Sequence, residues 1–135
     1  MRTIQGVGVS AGIAIGTVRV LAAVDYAVER RVIDDPQAEM DRFRAARDTA
    51  VAQLKQLRDN VAAEFGENKA ELFDAHRLML QDPDYAECVE GLIAQDKVNA
   101  EFAVKSVAEQ FAAMFAAMDS STMQARAADV KDVSR

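Results

Sequence analysis

A mainly α-helical chain is expected: an antiparallel bundle of four to five helices behind a short N-terminal β segment. Three observations carry that expectation. Alanine is abundant while Gly (6) and Pro (2) are scarce among the 135 residues, which favours helices over a sandwich or barrel. Both prolines follow an aspartate, as Asp35-Pro36 and Asp82-Pro83, and each pair combines an N-cap acid with proline at the first helical position. From Asp34 onward the apolar spacing is helical, whereas residues 1–32 carry β-branched residues between glycines.

The elements follow in order. Strands are expected over residues 3–10 (TIQGVGVS) and 13–21 (IAIGTVRVL), with VERRVI (28–33) as a third strand or a lead-in. Helix one starts at Asp34-Asp35-Pro36 and ends near Gly66, with Met40, Phe43, Arg47, Ala50, Leu54, Leu57 and Val61 at alternating steps of three and four. Only Arg47 breaks that coiled-coil-like seam. Helix two is expected from about Asn68 to Leu80, and a third segment from Asp82-Pro83 to about Gln95. Pro83 fits either an interrupted helix axis or a chain reversal. Asn99 caps a helix over Ala100–Met118, and Ser120 or Ser121 caps a last one, with Met123, Ala127, Val130 and Val133 near one face. Two or three glycine-rich strands make a poor unit alone, since their open edges need partners. They pack on the bundle, pair with another chain, or belong to a longer protein. The last helix reaches Ser134-Arg135 without a glycine stop, which reads as truncation.

Composition excludes several classes. The net charge of −6 repels nucleic-acid phosphates. No 18-residue apolar run exists, so neither a transmembrane helix nor a membrane partner is expected. Glycines and polar residues interrupt any signal-peptide core near the start. The single Cys88 excludes an internal disulfide, and a cytoplasmic protein is the reading. Between Glu64 and Glu87 seven acids face only Lys69 and Arg77, which leaves −5 of the total −6 within 24 residues. This is either a solvated helix face or a patch that steers a basic partner.

Catalytic constellations are thin. The only histidine, His76, and Cys88 lie 12 residues apart without the local signature of a cysteine nucleophile. One His and one Cys are too few for a clustered metal site. The glycines of GVGVSAG (6–12) precede a strand-like run rather than a helix, so the dinucleotide reading fails, and no phosphate-loop motif occurs. No catalytic residue, cofactor or metal is assigned. His76, with Leu72 and Met79 beside it at i−4 and i+3, is a bundle residue or part of a partner-binding surface.

Three stretches, GVGVSAGIAIGTV (6–18), EFGENKAELFDAHRLMLQDPD (64–84) and QARAADVKDV (124–133), resemble the N-terminal part of enzyme I. This is the phosphoenolpyruvate-protein phosphotransferase family of the bacterial sugar phosphotransferase system. The likeness spans essentially the whole chain, with the motifs in family order; sugar, nitrogen-related and multi-domain enzymes I share them. It implies that residues 1–32 are the first strands of an incomplete α/β swivelling (phosphohistidine) domain, and that 33–135 are the inserted helical subdomain that binds the phosphocarrier HPr. The family's phosphorylated histidine lies in a GGxTSH-type motif absent here, so the fragment alone is expected to be inactive. Mg²⁺ and dimerisation belong to the parent enzyme's separate C-terminal barrel. His76 matches the helix histidine of the HPr-binding subdomain, not the phosphorylated one.

The partner-binding residues implied by the resemblance are Glu67, Asp74, His76, Leu78, Met79, Asp82, Asp84, Met123 and Arg126. Leu78 and Met79 are either contact residues or core, since both can hardly share one helix face. Arg126 is a contact or pairs with a local acid. The family often has two adjacent acids where this chain has Glu67-Asn68, so Asn68 is left out. The implied function is docking of HPr, whose active-site histidine is flanked by basic residues. The alternative is a helical scaffold or self-association module built on the helix-one seam.

Overall fold

Both Asp-Pro pairs start helices. In the computed structural model, which describes residues 5–8, 10–13, 15–17, 19–20 and 27–135, Asp35 accepts a hydrogen bond from Ala38 N at 3.1 Å and Pro36 opens α1 (Pro36–Phe65). Asp82 accepts from Asp84 N and Tyr85 N at 2.9 and 3.2 Å, ahead of α3 (Pro83–Asp96). These side chains satisfy donors that a helix start leaves without an intrahelical partner. Between them lies α2 (Glu67–Leu80), joined to α1 through Gly66 alone. Gly66 adopts φ 90°, open to glycine and strained for other residues, and this permits so abrupt a reversal. Lys97, at φ 50° and ψ 50°, ends α3. Asn99 and Ser120 precede α4 (Ala100–Ala116) and α5 (Ser121–Val133). The five helices match the expected bundle.

Long-range partners retreat in step along α1. Arg58 meets Asp74 of α2, Arg44 meets Glu90 of α3, and Val32 bridges Val98 antiparallel just beyond. Thus α2 and α3 form one interrupted track running back along α1, about 45 Å long at 1.5 Å per residue. Pro83 breaks the axis of that track without reversing it. The chain then turns back through α4, which packs on α3, and α5 returns along α4 to reach α2.

The core lies at the α1 start. Phe43, Tyr85, Ala86, Val89, Ile93, Val98, Ala100, Ala103 and Val107 form one cluster from α1, α3, α4 and the segment between the latter two. Alanines at 100, 103, 108 and 112 let α4 approach closely, and Tyr85 packs edge-to-face on Phe111 at 5.5 Å. Ion pairs fasten the same end: Arg42 spans Glu39 and Glu101 at 2.6 and 2.7 Å, and Glu39 Oε1 accepts from Ala100 N at 2.6 Å. Hydrogen bonding to Arg42 holds Glu39 below the usual carboxylate range, and holds Glu101 at about 2. The helix-one seam is less buried than its spacing implies. Of its seven members only Phe43 is fully buried, and Leu57 is 45% exposed. The distal half of α1 is a two-helix arm with α2, and a second helix covers one side of a helix only.

Among the described residues the expected strands form no ladder. Residues 1–4, 9, 14, 18 and 21–26 of those runs lie outside the described set. Val7, Ile13, Ile15 and Val20 are 83–100% exposed, so these side chains do not fold back on the bundle. Without neighbouring strands their backbone has no ladder to join. The Val28–Ile33 stretch is a lead-in: Ile33 N donates to Lys97 O at 2.9 Å, and Asn99 N donates to Arg31 O at 3.1 Å, framing the single Val32–Val98 bridge.

Candidate functional site

The expected contact residues sort into two polar clusters and one apolar cleft. The first cluster spans the α1–α2 hairpin. Arg58 Nε donates to Asp74 at 3.1 Å, and its other end pairs with Glu67. Arg77, one turn beyond Asp74, donates to the second Asp74 oxygen at 3.2 Å. Hydrogen bonding to Asp74 pushes the Arg58 guanidinium further into its charged range, with the Glu67 carboxylate adding to it. Thus Glu67 and Asp74 belong together, but each already has a cation.

The second cluster joins α2 to α5. His76 Nε2 lies 3.5 Å from Asp129 Oδ1, and Arg126 donates to Asp129 Oδ2 at 3.2 Å. Both side chains face the inner side of the arm: His76 is 14% and Asp129 24% exposed. The Phe73 ring stands edge-on to the imidazole at 6.3 Å. Arg126 does pair with a local acid, and through that acid it is tied to His76.

The question of Leu78 and Met79 resolves by helix geometry, since consecutive helical residues point about 100° apart. Leu78 projects outward, 65% exposed. Met79 turns in and lines a cleft of about 50 Å³ with Tyr85, Phe111, Phe115 and Val130. Asp82 stands at the cleft rim, and across it Tyr85 Oη and Ser134 Oγ share a hydrogen bond at 2.8 Å. Burial pushes the Tyr85 phenol above its ordinary value. Asp82 and Asp84 are exposed and form no ion pair among the described residues. Met123 is half-buried on α5.

Sequence reasoning did not find Arg58, Arg77 or Asp129 as members of this face. Asp129 lies three residues after Arg126, so that local pair was readable. Its approach to a histidine 53 positions away was not. Among the described residues, no group of three or more His, Cys, Asp or Glu side chains is placed to hold a metal ion, and no helix is long and apolar enough to cross a membrane.

Fold and face together define a class: a five-helix module with a mixed-charge face built on α1, α2 and α5 beside a small apolar cleft. Comparison gives the family. The model described as "PEP-utilising enzyme, N-terminal" matches residues 5–126, and the chain belongs to that family. It is similar to the phosphoenolpyruvate-protein phosphotransferase of Bacillus subtilis (strain 168), 40% identical over 135 residues and covering 100% of this chain and 24% of that protein. The protein of that name from Listeria monocytogenes is 37% identical over 132 residues, covering 98% and 23%. The chain thus spans about a quarter of the length of these relatives. Among solved structures, that of enzyme I (nEIt) matches with a TM-score of 0.75 at 30% identity, over 80% of this chain and 44% of that one. The N-terminal domain of nitrogen enzyme 1 matches at 0.74 and 27%, over 80% and 45%.

Proposed function

We propose that this chain is the part of a phosphoenolpyruvate-protein phosphotransferase that docks the phosphocarrier HPr, so that a phosphoryl group can pass from a histidine elsewhere in the enzyme. Residues 33–135 form the docking subdomain, and residues 1–32 contribute strands to a swivelling α/β domain. The phosphoenolpyruvate chemistry, its Mg²⁺ and dimerisation belong to other parts of the parent, which works in the cytoplasm.

The observation that carries this reading is the placement of exposed Leu78 between the Arg58-Asp74-Arg77 cluster and the uncapped acids Asp82 and Asp84. An exposed apolar side chain framed by charge is the anatomy of a transient protein interface, with a small desolvated centre and a polar rim. The exposed acids at the α2–α3 break would steer a basic partner. Glu67 and Asp74 take a different part: the first cluster stiffens the hairpin, and their cations can exchange partners as a basic side chain arrives. His76 and Arg126 supply the α5 side, while Met79 supports Leu78 from below and Met123 adds an adaptable contact.

Calorimetric titration of this chain with purified HPr tests the proposal. Saturable binding that weakens between low and moderate salt is expected, because exposed charges are screened within about 10 Å at 0.1 M salt. Absence of binding at low salt refutes it.

A further inference from the structure

Asp129 occupies a position that the contact set does not explain. Its two carboxylate oxygens face different helices: Oδ1 lies 3.5 Å from His76 Nε2 on α2, and Oδ2 accepts from Arg126 on its own helix α5 at 3.2 Å. His76 Nε2 is shut off from solvent and has no hydrogen-bond partner among the described residues. The other charged groups around the imidazole are Arg126 on α5, Asp74 and Arg77 on α2, and Arg58 reaching Asp74 from α1.

This geometry restricts the proton on His76. A neutral ring with its proton on Nδ1 would set the bare Nε2 lone pair against a carboxylate oxygen in a water-poor site. Such an arrangement leaves two acceptors facing each other without a proton between them. A ring with a proton on Nε2, neutral or charged, turns the same approach into an attraction.

We propose that Asp129 is a positioning residue of the docking face. It holds the Nε2 proton of His76 with one oxygen and the Arg126 guanidinium with the other, and so locks α2 and α5 into a single surface. The proposal rests on the docking reading only for its consequence for HPr; the hold on His76 stands in the free chain. Asp129 touches no reacting atom in this scheme and acts through His76 and Arg126.

The test has two readouts. Long-range ¹H–¹⁵N spectra of the free wild-type chain at neutral pH are expected to show the His76 proton on Nε2, and Asp129→Asn to shift the ring toward the Nδ1–H form. Asp129→Glu should restore the wild-type pattern in part. HPr affinity is expected to fall about fivefold in Asp129→Asn, the upper range for one partly exposed ion pair, and adding His76→Gln to that variant should cost little more. An Nδ1–H ring in the wild type overturns the proposal even if Asp129→Asn proves unstable. So does an unchanged ring and unchanged affinity in a folded Asp129→Asn. If wild-type chain fails to bind HPr at all, the docking reading falls, while the ring spectra still decide whether Asp129 holds His76.

Discussion

Arg58 of α1 donates through Nε to Asp74 of α2 at 3.1 Å, and the same guanidinium pairs with Glu67 at the start of that helix. Two acids of the expected contact set are therefore engaged from within the molecule. The exposed negative charge at the α2–α3 break falls to Asp82 and Asp84, one of which is also a helix cap.

That double duty dictates how the charge is to be tested. Reversing Asp82 would remove the cap as well as the charge. Asp82→Asn with Asp84→Asn keeps the capping oxygen, so Tm should move by no more than about 2 °C, the scale of a few tenths of a kcal/mol. Association with HPr at low salt should slow several-fold on stopped-flow measurement. Asp82→Ala, by contrast, should destabilise the chain by about 1 kcal/mol in urea melts.

Leu78 and Ile93 separate interface from core. Leu78 is 65% exposed and Ile93 0%. Leu78→Ala should leave stability within about 0.5 kcal/mol and weaken HPr binding. Ile93→Ala should cost about 2–5 kcal/mol by opening a cavity. Equal destabilisation by the two would place Leu78 in the core and remove it from the face.

Gly66 is the hinge of the arm. A Cβ there meets no atom within 4 Å, but φ is +90°, so the penalty comes from backbone conformation rather than crowding. Gly66→Ala should lower stability by about 1 kcal/mol or slightly more. Circular dichroism under urea checks this, and an unaffected midpoint would mean that the turn relaxes freely.

Acid should loosen the end of the bundle opposite the arm tip. Hydrogen bonding to Arg42 keeps Glu101 at about 2, against an ordinary 4.5, and also lowers Glu39. Because both folded-state values are depressed, their stabilisation is present above about pH 4.5 and disappears as pH falls toward 2. Glu101 is 51% exposed, so solvent screening limits its share to roughly 1 kcal/mol or less. Arg42→Ala should flatten the stability profile between pH 4.5 and 2.5. Parallel profiles for variant and wild type would contradict this assignment.

Much of the helical fold was legible because its signals are local. Asp35-Pro36, Gly66, Asp82-Pro83, Asn99 and Ser120 mark element boundaries through backbone chemistry that involves only their near neighbours. Burial was harder to read. Leu57 has the same spacing as Phe43, but only Phe43 meets α3 and α4, and no periodicity tells which half of a helix will be covered. The β-branched N-terminal run illustrates the same limit, since strand propensity has effect only with a neighbouring strand to pair with. On the candidate face, His76, Arg126 and the exposed acids were readable as residue types. The Arg58 and Asp129 contacts depend on tertiary approach, and sequence spacing does not encode it.

The docking claim is tested most directly by titrating ¹⁵N-labelled chain with unlabelled HPr and mapping the shifted amides. Shifts should concentrate in α2 around residues 74–79, at the Asp82–Asp84 break and along α5 near Met123–Asp129, and they should fade as salt rises. A footprint confined to the α1 start and α4, or no shift at low salt, would contradict it.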